Sequence, residues 1–369
     1  MKDKKRVLLV SCGGLGNGGV QAILMGIVRS LSSKFVFDVL VFTSEVRHYD
    51  KEFLSYGGEI IRIPHYEGNN KYIRFLDFNT RDLFIYKKVR DILRNRNPYV
   101  AVHCNKEYES APILKAAFDC GIPIRICHNH IINQKSGFLC NTLNKIRLYY
   151  IKKYSTLNIG CSKESCYSLY GNENYSVMNN FYDDKRFSSS LYYKTKKKSV
   201  LSLVQVGALN TNKNQIFSIN ILSEIKKCGI ESDLTIVGFE LENGYRKKVI
   251  DEINRLGLSA YVRLLPGDSN IPMVLSQSSV FLMPSVKEGF GIVLIEAQAM
   301  GLRCFASSVV PHSTNCGGVE YLDLSRGAHY WATTIIDVLK KNDCQGCSFD
   351  TERFKLSNIS KQYEKLYEK

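Results

Sequence analysis

Two carboxylates stand eight positions apart in a segment whose composition suits ligand binding. Glu288 lies in the turn Glu-Gly-Phe-Gly at 288–291, and Glu296 lies among helix-forming residues that stop at Gly301. Such a turn places backbone N–H groups at a helix N-terminus, where anions bind. Carboxylates at the same end of the helix can hold sugar hydroxyls. The segment therefore predicts a site for a nucleotide sugar, although a glycine turn before a helix is also a common structural element.

A glycine-rich loop near the start of the chain is a second candidate site. Gly14, Gly16 and Gly19 fit the G-x-G-x-x-G spacing of dinucleotide-binding loops, and Glu45 stands where such a site needs an acid. This pattern favours an NAD(P)-dependent oxidoreductase. A plain strand-to-helix turn would also explain the glycines, and the oxidoreductase hypothesis leaves the segment 288–296 unexplained.

Short apolar runs alternate with helix-forming segments along the chain, which predicts an α/β protein with parallel sheets. The predicted strands are 6–12, 35–43, 59–63, 100–103, 124–127, 157–160, 200–206, 234–237, 261–264 and 280–283. The predicted helices are 19–33, 81–95, 109–120, 138–154, 214–227, 245–256 and 294–300. A charged stretch at 183–198 separates two such series. We therefore expect two doubly wound, Rossmann-like domains, at 1–182 and 183–350, followed by a C-terminal helix at 351–369.

The composition, 44% apolar and 23% charged, is that of a globular protein. No run of 18 apolar residues is present, and the basic N-terminus precedes an apolar run too short for a signal peptide, so we expect a cytoplasmic protein. The 12 cysteines are expected to be reduced thiols. Neither the pair Cys344 and Cys347 nor the stretch 127–130 has the further ligands of a zinc site, so we expect no metal.

The formal net charge of +15 is large, and the first half of the chain carries most of it. Residues 1–185 hold 27 Lys and Arg against 17 Asp and Glu. Basic patches bind anionic membranes, which predicts an anionic membrane surface as a partner. A solvated basic surface remains the alternative. No nucleic-acid-binding module is recognisable, so nucleic acid is not expected as a partner.

Several segments resemble one known family. The run 287–301 resembles the E-x(7)-E signature of the retaining GT-B glycosyltransferases of the family 4-like group. Residues 18–21 resemble its G-G-V-[EQ] loop, residues 203–215 its V-G-R-L-x(3)-K-[GN] string, and residues 234–239 and 264–267 its L-x-I-V-G-x-G and F-x-G segments. Residues 125–130 resemble the R-I-[AC]-H-[SN]-H string of the capsule and exopolysaccharide enzymes in this family.

The resemblance implies a GT-B fold, with two Rossmann-like domains facing a central cleft and a C-terminal helix crossing back to the first domain. It implies transfer of a sugar from a nucleoside diphosphate sugar, with UDP expected as the nucleotide, to a hydroxyl of a glycan or of a glycan linked to polyprenyl diphosphate. It also implies retention at the anomeric carbon, no cofactor and no metal. An association with the inner face of the cell membrane would fit such an acceptor.

The same resemblance implies roles for individual residues. Glu288 would contact the donor sugar, Glu296 the ribose hydroxyls, Lys213 the diphosphate and His128 the sugar. His103 is a weaker candidate on the acceptor side. The other positions expected to bind the donor are Gly18, Gly19, Gly207, Asn214, Gly238, Gly289, Phe290, Gly291 and Ile292.

One position departs from the family pattern. Ala208 stands where the family has an arginine, so one of two cations expected at the diphosphate is missing. Lys287 or Arg186 could replace it, or Lys213 and the N–H groups of the turn 288–291 could suffice. A protein that binds nucleotide sugars without catalysis therefore remains an alternative to an enzyme.

Overall fold

The computed structural model describes residues 4–11, 13–63, 71–96, 98–131, 138–172, 174–192, 200–341 and 348–369, with the backbone alone for 71–80 and 138–141. The chain forms two compact units. The first consists of Met1–Phe181 and Leu356–Lys369, and the second of Tyr182–Lys355. Cys12, Cys344, Cys347 and the end of the predicted hinge at 193–199 lie outside the described residues.

Seven parallel strands form the sheet of the first unit, in the order β3-β2-β1-β4-β5-β6-β7. The strands are β1 (Lys5–Ser11), β2 (Phe35–Val41), β3 (Ile60–Arg62), β4 (Tyr99–Cys104), β5 (Ile124–Asn129), β6 (Leu157–Gly160) and β7 (Ser176–Val177). In the central strand β1, Val7, Leu8, Leu9 and Val10 have no exposed surface. A continuous apolar run of this kind is typical of a parallel strand that is covered on both faces.

Helices connect these strands, and the last helix of the chain completes the unit. They are α1 (Gly19–Leu31), α2 (Asp50–Ser55), α3 (Lys71–Arg94), α4 (Ala111–Asp119), α5 (Phe138–Tyr154), α6 (Lys163–Tyr170) and, at the C-terminus, α12 (Leu356–Glu368). Helix α12 packs against α1, and the ring of Tyr367 lies 5.6 Å from that of Phe35 and 5.9 Å from that of Phe37. Aromatic contacts therefore attach the C-terminal helix to β2.

Six parallel strands form the sheet of the second unit, in the order β10-β9-β8-β11-β12-β13. The strands are β8 (Leu201–Val206), β9 (Ser232–Val237), β10 (Val262–Leu265), β11 (Val280–Met283), β12 (Arg303–Ser307) and β13 (Val319–Leu322). The helices are α7 (Gln215–Lys227), α8 (Tyr245–Arg255), α9 (Ile271–Ser276), α10 (Ile292–Ala299) and α11 (Gly327–Lys341). The buried Trp331 of α11 packs edge-on against Phe217 of α7 and donates its indole N–H to the carbonyl oxygen of Asp323 at 3.1 Å.

Each sheet has one point at which the strand order reverses, between β1 and β4 in the first unit and between β8 and β11 in the second. Doubly wound sheets bind ligands at such points, outside the carboxyl ends of the strands. The glycine loop 13–18 follows β1, the loop 207–214 follows β8, and the segment 284–291 follows β11. Each predicted ligand loop thus lies at the switch point of its own sheet.

The predicted strands and helices are present, with bounds that shift by a few residues except at the helix predicted for 81–95, which begins ten residues earlier. The helix predicted for 109–120 begins with a 3₁₀ turn at Tyr108–Ser110, and Pro112 lies in the first turn of α4, where its missing N–H costs nothing. The sequence analysis missed α2, α6, α11, β7, β12 and β13. Helix α6 has only eight residues and is fixed by a capping box between Ser162 and Ser165, which apolar periodicity does not reveal.

Within the described ranges, no helix is both long enough and apolar enough to cross a membrane.

Candidate active site

The Lys213 ammonium and the Glu288 carboxylate form an ion pair in the second unit. The two side chains are 22% and 14% exposed, so the pair is only partly reached by solvent. Lys213 follows β8 and Glu288 follows β11, and these two strands are neighbours at the switch point of the sheet. The structure therefore brings together two residues that the sequence analysis assigned to the donor.

The loop that carries Lys213 is held by side-chain hydrogen bonds. Gln205 Nε2 donates to the carbonyl oxygen of Lys213 at 2.6 Å, and Asn210 Oδ1 accepts from the Lys213 N–H at 2.8 Å. Asn214, the next residue, has a φ of 55°, and it is the one non-glycine residue with positive φ in the described part of the chain. Strained backbone of this kind costs about 1–3 kcal/mol and is common at ligand sites.

Glycines at the carboxyl ends of β8 and β9 allow the backbone to approach itself closely. A Cβ atom on Gly238 would lie 2.1 Å from the carbonyl oxygen of Gly207, so the contact between the two strand ends requires a glycine. A Cβ atom on Gly207 would meet the side chain of Lys213 at 3.4 Å, an ordinary contact distance. Gly207 therefore lies beneath the lysine, and Gly238 has a packing role that does not depend on a ligand.

The turn 288–291 leads directly into α10. Gly291 caps α10 with a φ of 89°, a conformation that favours glycine. Ile292 opens the helix, so its N–H belongs to the first turn and has no partner within the helix. Phe290 is buried against Phe354, with ring centroids 5.9 Å apart, and can offer a ligand only its backbone. The segment thus has the geometry of an anion site beside the Lys213–Glu288 pair.

Glu296 lies in the second turn of α10 and is half-buried. Burial raises the pKa of its carboxyl group to about 7, the negative charge of Asp183 adds to the effect, and the positive charge of Arg186 opposes it. Arg186, which the sequence analysis named as a replacement for the missing arginine, is therefore close enough to act on this carboxylate. It is an exposed residue in a turn held by its backbone N–H bonding to Asp183.

Ser285 is a residue of this region that the sequence analysis did not name. Its Oγ is buried and has no hydrogen-bond partner among the described residues, while its carbonyl oxygen accepts from the Ser307 hydroxyl. A buried hydroxyl without a partner costs about 1–3 kcal/mol. The feature of the sequence that could have pointed to Ser285 is its position directly after the buried strand β11 and Pro284.

Three histidines form a buried cluster at the carboxyl ends of β4 and β5 in the first unit. His103 Nδ1 lies 2.7 Å from the Tyr367 hydroxyl, and His103 Nε2 lies 3.2 Å from His128 Nδ1. The His130 ring lies over that of His128, with centroids 4.0 Å apart, and its Nε2 lies 3.0 Å from Asn105 Oδ1. His128 Nε2 is buried and has no hydrogen-bond partner among the described residues.

Burial lowers the pKa of His103 to about 3 and that of His130 to about 4, and it places the pKa of His128 well below its ordinary value. All three rings are therefore neutral at pH 7. Both ring nitrogens of His103 have partners within the unit, the Tyr367 hydroxyl and His128 Nδ1, and its assignment to the acceptor side stays a prediction.

Gly18 and Gly19 lie at the start of α1, at the switch point of the first sheet. Gly18 caps the helix in an extended conformation, and a Cβ atom there would lie 2.5 Å from Gln21 Oε1. Gly19 is exposed. Glu45, the acid that a dinucleotide site would require, is paired with Arg47. In the ranges that the structure describes, no group of three or more His, Cys, Asp or Glu side chains is placed to hold a metal ion.

Comparison with known proteins shows which proteins the chain is similar to. Residues 193–314 match the family described as Glycosyl transferases group 1. The chain is 27% identical over 352 residues to the putative glycosyltransferase EpsF of Bacillus subtilis, covering 90% of this chain and 87% of that protein. It is 25% identical over 363 residues to the capsular polysaccharide biosynthesis glycosyltransferase CapH of Staphylococcus aureus, covering 96% of each.

The fold is similar to that of HepE of Anabaena in complex with UDP and glucose, with a TM-score of 0.73, 15% identity and coverage of 97% of this chain and 98% of that one. The chain therefore has the GT-B fold, as the sequence analysis predicted. The matches support its assignment to the group 1 glycosyltransferases, and none of them supports the oxidoreductase alternative.

We expect Glu296→Gln to stabilise the protein and to weaken its binding of UDP. Because the folded-state pKa of Glu296 lies above its unfolded value of 4.5, stability falls as pH rises from 4.5 to 7 and the loss is complete above pH 7. A glutamine side chain does not titrate, so the variant does not lose stability in this pH range. Allowing for solvent screening of the partly exposed group, we expect about 1 kcal/mol, or about 2–4 °C in Tm, at pH 8.

The binding half of this prediction has a different cause. A hydrogen bond to a charged group contributes about 1.5–3 kcal/mol, so if Glu296 binds the ribose, as the family resemblance implies, its replacement should weaken UDP binding about tenfold or more. Thermal melts and calorimetric titration measure the two effects. Glu320→Gln, at an exposed position of β13 in the same unit, is the control and should change neither. Unchanged UDP affinity in Glu296→Gln would contradict the ribose assignment.

We expect acid to destabilise the first unit through its buried histidines. Their folded-state pKa values lie below the unfolded value of about 6.5, so the unfolded state binds more protons and stability falls as pH drops below 6.5. Each such histidine contributes up to about 1.4 kcal/mol per pH unit. His103→Asn should therefore reduce the slope of unfolding free energy against pH, between pH 6 and 5, by about 1 kcal/mol per unit. Urea titrations measure it, and the exposed His48→Asn should keep the full slope.

Proposed function

We propose that this protein transfers a sugar from a UDP-sugar to a hydroxyl group of a glycan, or of a glycan linked to polyprenyl diphosphate, in the synthesis of a capsular or extracellular polysaccharide. The reaction retains the anomeric configuration and needs neither a cofactor nor a metal ion. The likeness to CapH supports the pathway, and the likeness of the fold to HepE, which was solved with UDP, supports the nucleotide.

The observation that carries the proposal is the ion pair of Lys213 and Glu288 beside the N-terminus of α10. The pair holds an ammonium group next to a helix N-terminus, and both attract anions. A diphosphate carries more negative charge than one carboxylate and accepts more hydrogen bonds. It can therefore replace Glu288 as the partner of Lys213, and Glu288 then becomes available to the sugar of the donor.

The chemistry follows from this exchange. The bond between the anomeric carbon and the diphosphate oxygen breaks, the acceptor oxygen bonds to the anomeric carbon on the same face, and the proton of the acceptor hydroxyl passes to the departing phosphate oxygen. Negative charge grows on the diphosphate as its bond breaks. Lys213 and the N–H groups at 289–292 stabilise that charge without a divalent ion. Glu288 and His128 position the sugar, and Glu296 binds the ribose.

A second candidate is a protein that binds nucleotide sugars without turning them over. It is favoured by Ala208, because a site with one fewer cation stabilises the leaving diphosphate less. This candidate and the enzyme share the same binding residues and differ in turnover. Release of UDP from a UDP-sugar, with acceptor or with water, is therefore the measurement that separates them.

Lys213→Ala tests the proposed role in catalysis. Because charge on the diphosphate grows in the transition state, we expect kcat to fall by about 100-fold or more while Kd for the UDP-sugar rises by less. The assay uses a panel of UDP-sugars, with a polyprenyl-diphosphate glycan as acceptor, in excess EDTA. Lys248→Ala, an exposed lysine of the same unit, is the control. An unchanged kcat would remove Lys213 from the site, and dependence on added magnesium would contradict the metal-free reaction.

We also propose that the first unit binds an anionic membrane through its helix α5. Residues 145, 146, 149, 152 and 153 follow helical spacing along one face, and all five are exposed. They are three lysines together with Ile146 and Tyr149, which are 49% and 59% exposed. The opposite face packs on the unit, where Ile151 is fully buried and Arg147 pairs with Asp82 of α3 at 2.7 Å.

Helix α3 adds to this surface. Leu83 and Phe84, adjacent to Asp82, are exposed, and Lys87 and Lys88 lie one turn further along the helix. Lysines beside exposed aliphatic and aromatic side chains suit the headgroup layer of a membrane, where the apolar side chains insert and the lysines bind anionic lipid. A lipid-linked acceptor would then be presented at the same surface.

Liposome co-sedimentation tests the membrane proposal. We expect binding to vesicles that contain anionic lipid, a steep loss of binding with salt because exposed charges are screened over about 8–10 Å, and about 1 kcal/mol less affinity for each lysine reversed. The test variant reverses Lys145, Lys152 and Lys153 to glutamate. The control makes the same change of charge in the second unit, at Lys227, Lys247 and Lys340. Equal binding to neutral vesicles, or an equal loss of vesicle binding in both variants, would contradict the proposal that this surface binds the membrane.

A further inference from the structure

We propose that Tyr367 and His103 fix the tautomer of His128, so that His128 presents an N–H donor at its unpartnered Nε2 and cannot act there as a base. Tyr367 and His103 are then positioning residues that act through His128. The inference that the donor meets the sugar rests on the proposed function, whereas the tautomer itself does not.

The geometry is a series of three groups within the first unit. The Tyr367 hydroxyl lies 2.7 Å from His103 Nδ1, His103 Nε2 lies 3.2 Å from His128 Nδ1, and His128 Nε2 ends the series without a partner among the described residues. All three side chains are fully buried. The series runs from the C-terminal helix α12 through β4 to the carboxyl end of β5.

Each histidine in the series carries one proton. Burial keeps both rings neutral, and no carboxylate of the described residues bonds to either ring. A neutral imidazole has one nitrogen that donates and one that accepts. The direction of the hydrogen bond at one end of the series therefore sets the proton position in both rings.

Tyr367 sets that direction. A phenol is a stronger donor than a neutral imidazole, and an imidazole nitrogen is a stronger acceptor than a phenol oxygen. In addition, His103 Nδ1 is the acceptor that the described structure offers to the Tyr367 hydroxyl, whose ring is otherwise surrounded by Phe35, Phe37 and His103. If the bond ran the other way, the buried O–H group would be left without an acceptor, at a cost of about 1–3 kcal/mol.

The proton positions then follow in order. Tyr367 donates to His103 Nδ1, so the single proton of His103 is on Nε2. That N–H donates to His128 Nδ1, so the single proton of His128 is on its own Nε2. His128 therefore presents an unpartnered N–H group in a buried setting, where a ligand oxygen would be its natural partner. In the proposed reaction, that oxygen belongs to the donor sugar.

Nitrogen NMR of histidine-labelled protein tests the tautomer without any activity. We expect the His128 Nε2 resonance of the wild type in the protonated range and its Nδ1 resonance in the unprotonated range, with His128→Asn used for assignment. Tyr367→Phe removes only the hydroxyl and should shift both rings towards a mixture of tautomers. A proton on Nδ1 of His128 in the wild type, or unchanged resonances in Tyr367→Phe, would overturn the inference.

The chain offers a matched control in Tyr363, one turn before Tyr367 on α12. Its ring also lies near the two histidines, with centroids 6.1 Å from His103 and 6.4 Å from His128, but its hydroxyl has no hydrogen-bond partner among the described residues. Tyr363→Phe should therefore leave the resonances of both histidines in the wild-type ranges. An equal change in both variants would mean that the helix had moved, and it would contradict a specific role of Tyr367.

Binding measurements connect the tautomer to the sugar. UDP and UDP-glucose, UDP-galactose or UDP-N-acetylglucosamine are titrated into wild type, Tyr367→Phe and Tyr363→Phe. Tyr367→Phe should weaken the binding of a UDP-sugar in proportion to the fraction of His128 that loses its Nε2 proton, about twofold for an equal mixture of tautomers, and leave that of UDP unchanged. If the NMR result holds and no UDP-sugar binds any of the three proteins, the tautomer stands and the proposed function is wrong. If the wild type binds but Tyr367→Phe binds equally well, His128 does not donate to the sugar.

Discussion

The ion pair of Lys213 and Glu288 is the interaction on which the candidate site of the second unit depends. Its two partners come from loops 75 positions apart in the sequence. Both side chains are partly buried, and an unpaired charge in such a place is costly, so each group satisfies the other. The pair also connects the loop after β8 to the turn before α10. A backbone hydrogen bond makes a similar connection, because the Val286 N–H donates to the carbonyl oxygen of Asn212 at 2.8 Å.

Much of this site follows from local sequence, because its parts are turns with strict requirements. Gly291 and the helix formers after it predict the start of α10, and the short buried strand before Pro284 predicts β11. The contact between Lys213 and Glu288 could not be predicted in that way. It requires β8 and β11 to be neighbours, although β9 and β10 lie between them in the sequence. The family resemblance suggested that the two residues share a ligand, whereas their direct contact is shown only by the structure.

For the histidines, the proximity of the side chains could be predicted but their burial could not. His103 and His128 end neighbouring parallel strands, so their proximity follows from strand order. Their burial does not, because Tyr363 and Tyr367, which lie against them, belong to a helix more than 220 positions further along the chain. From sequence alone, a polar residue at a strand end is expected to be exposed, because nothing near it in the sequence shows that a distant segment covers it. For this reason the burial of His103 could not be predicted from the sequence.

Several features that cost stability adjoin residues assigned to the donor. Asn214 has a positive φ, the pKa of Glu296 is raised to about 7, and Ser285 Oγ and His128 Nε2 are buried without partners in the described structure. Each costs about 1–3 kcal/mol, and each unit also has a large apolar core. Under the proposed function, a nucleotide sugar bound to the second unit would offset part of the cost there by supplying hydrogen-bond partners. Costs of this kind are typical of ligand sites, where proteins give up stability for function.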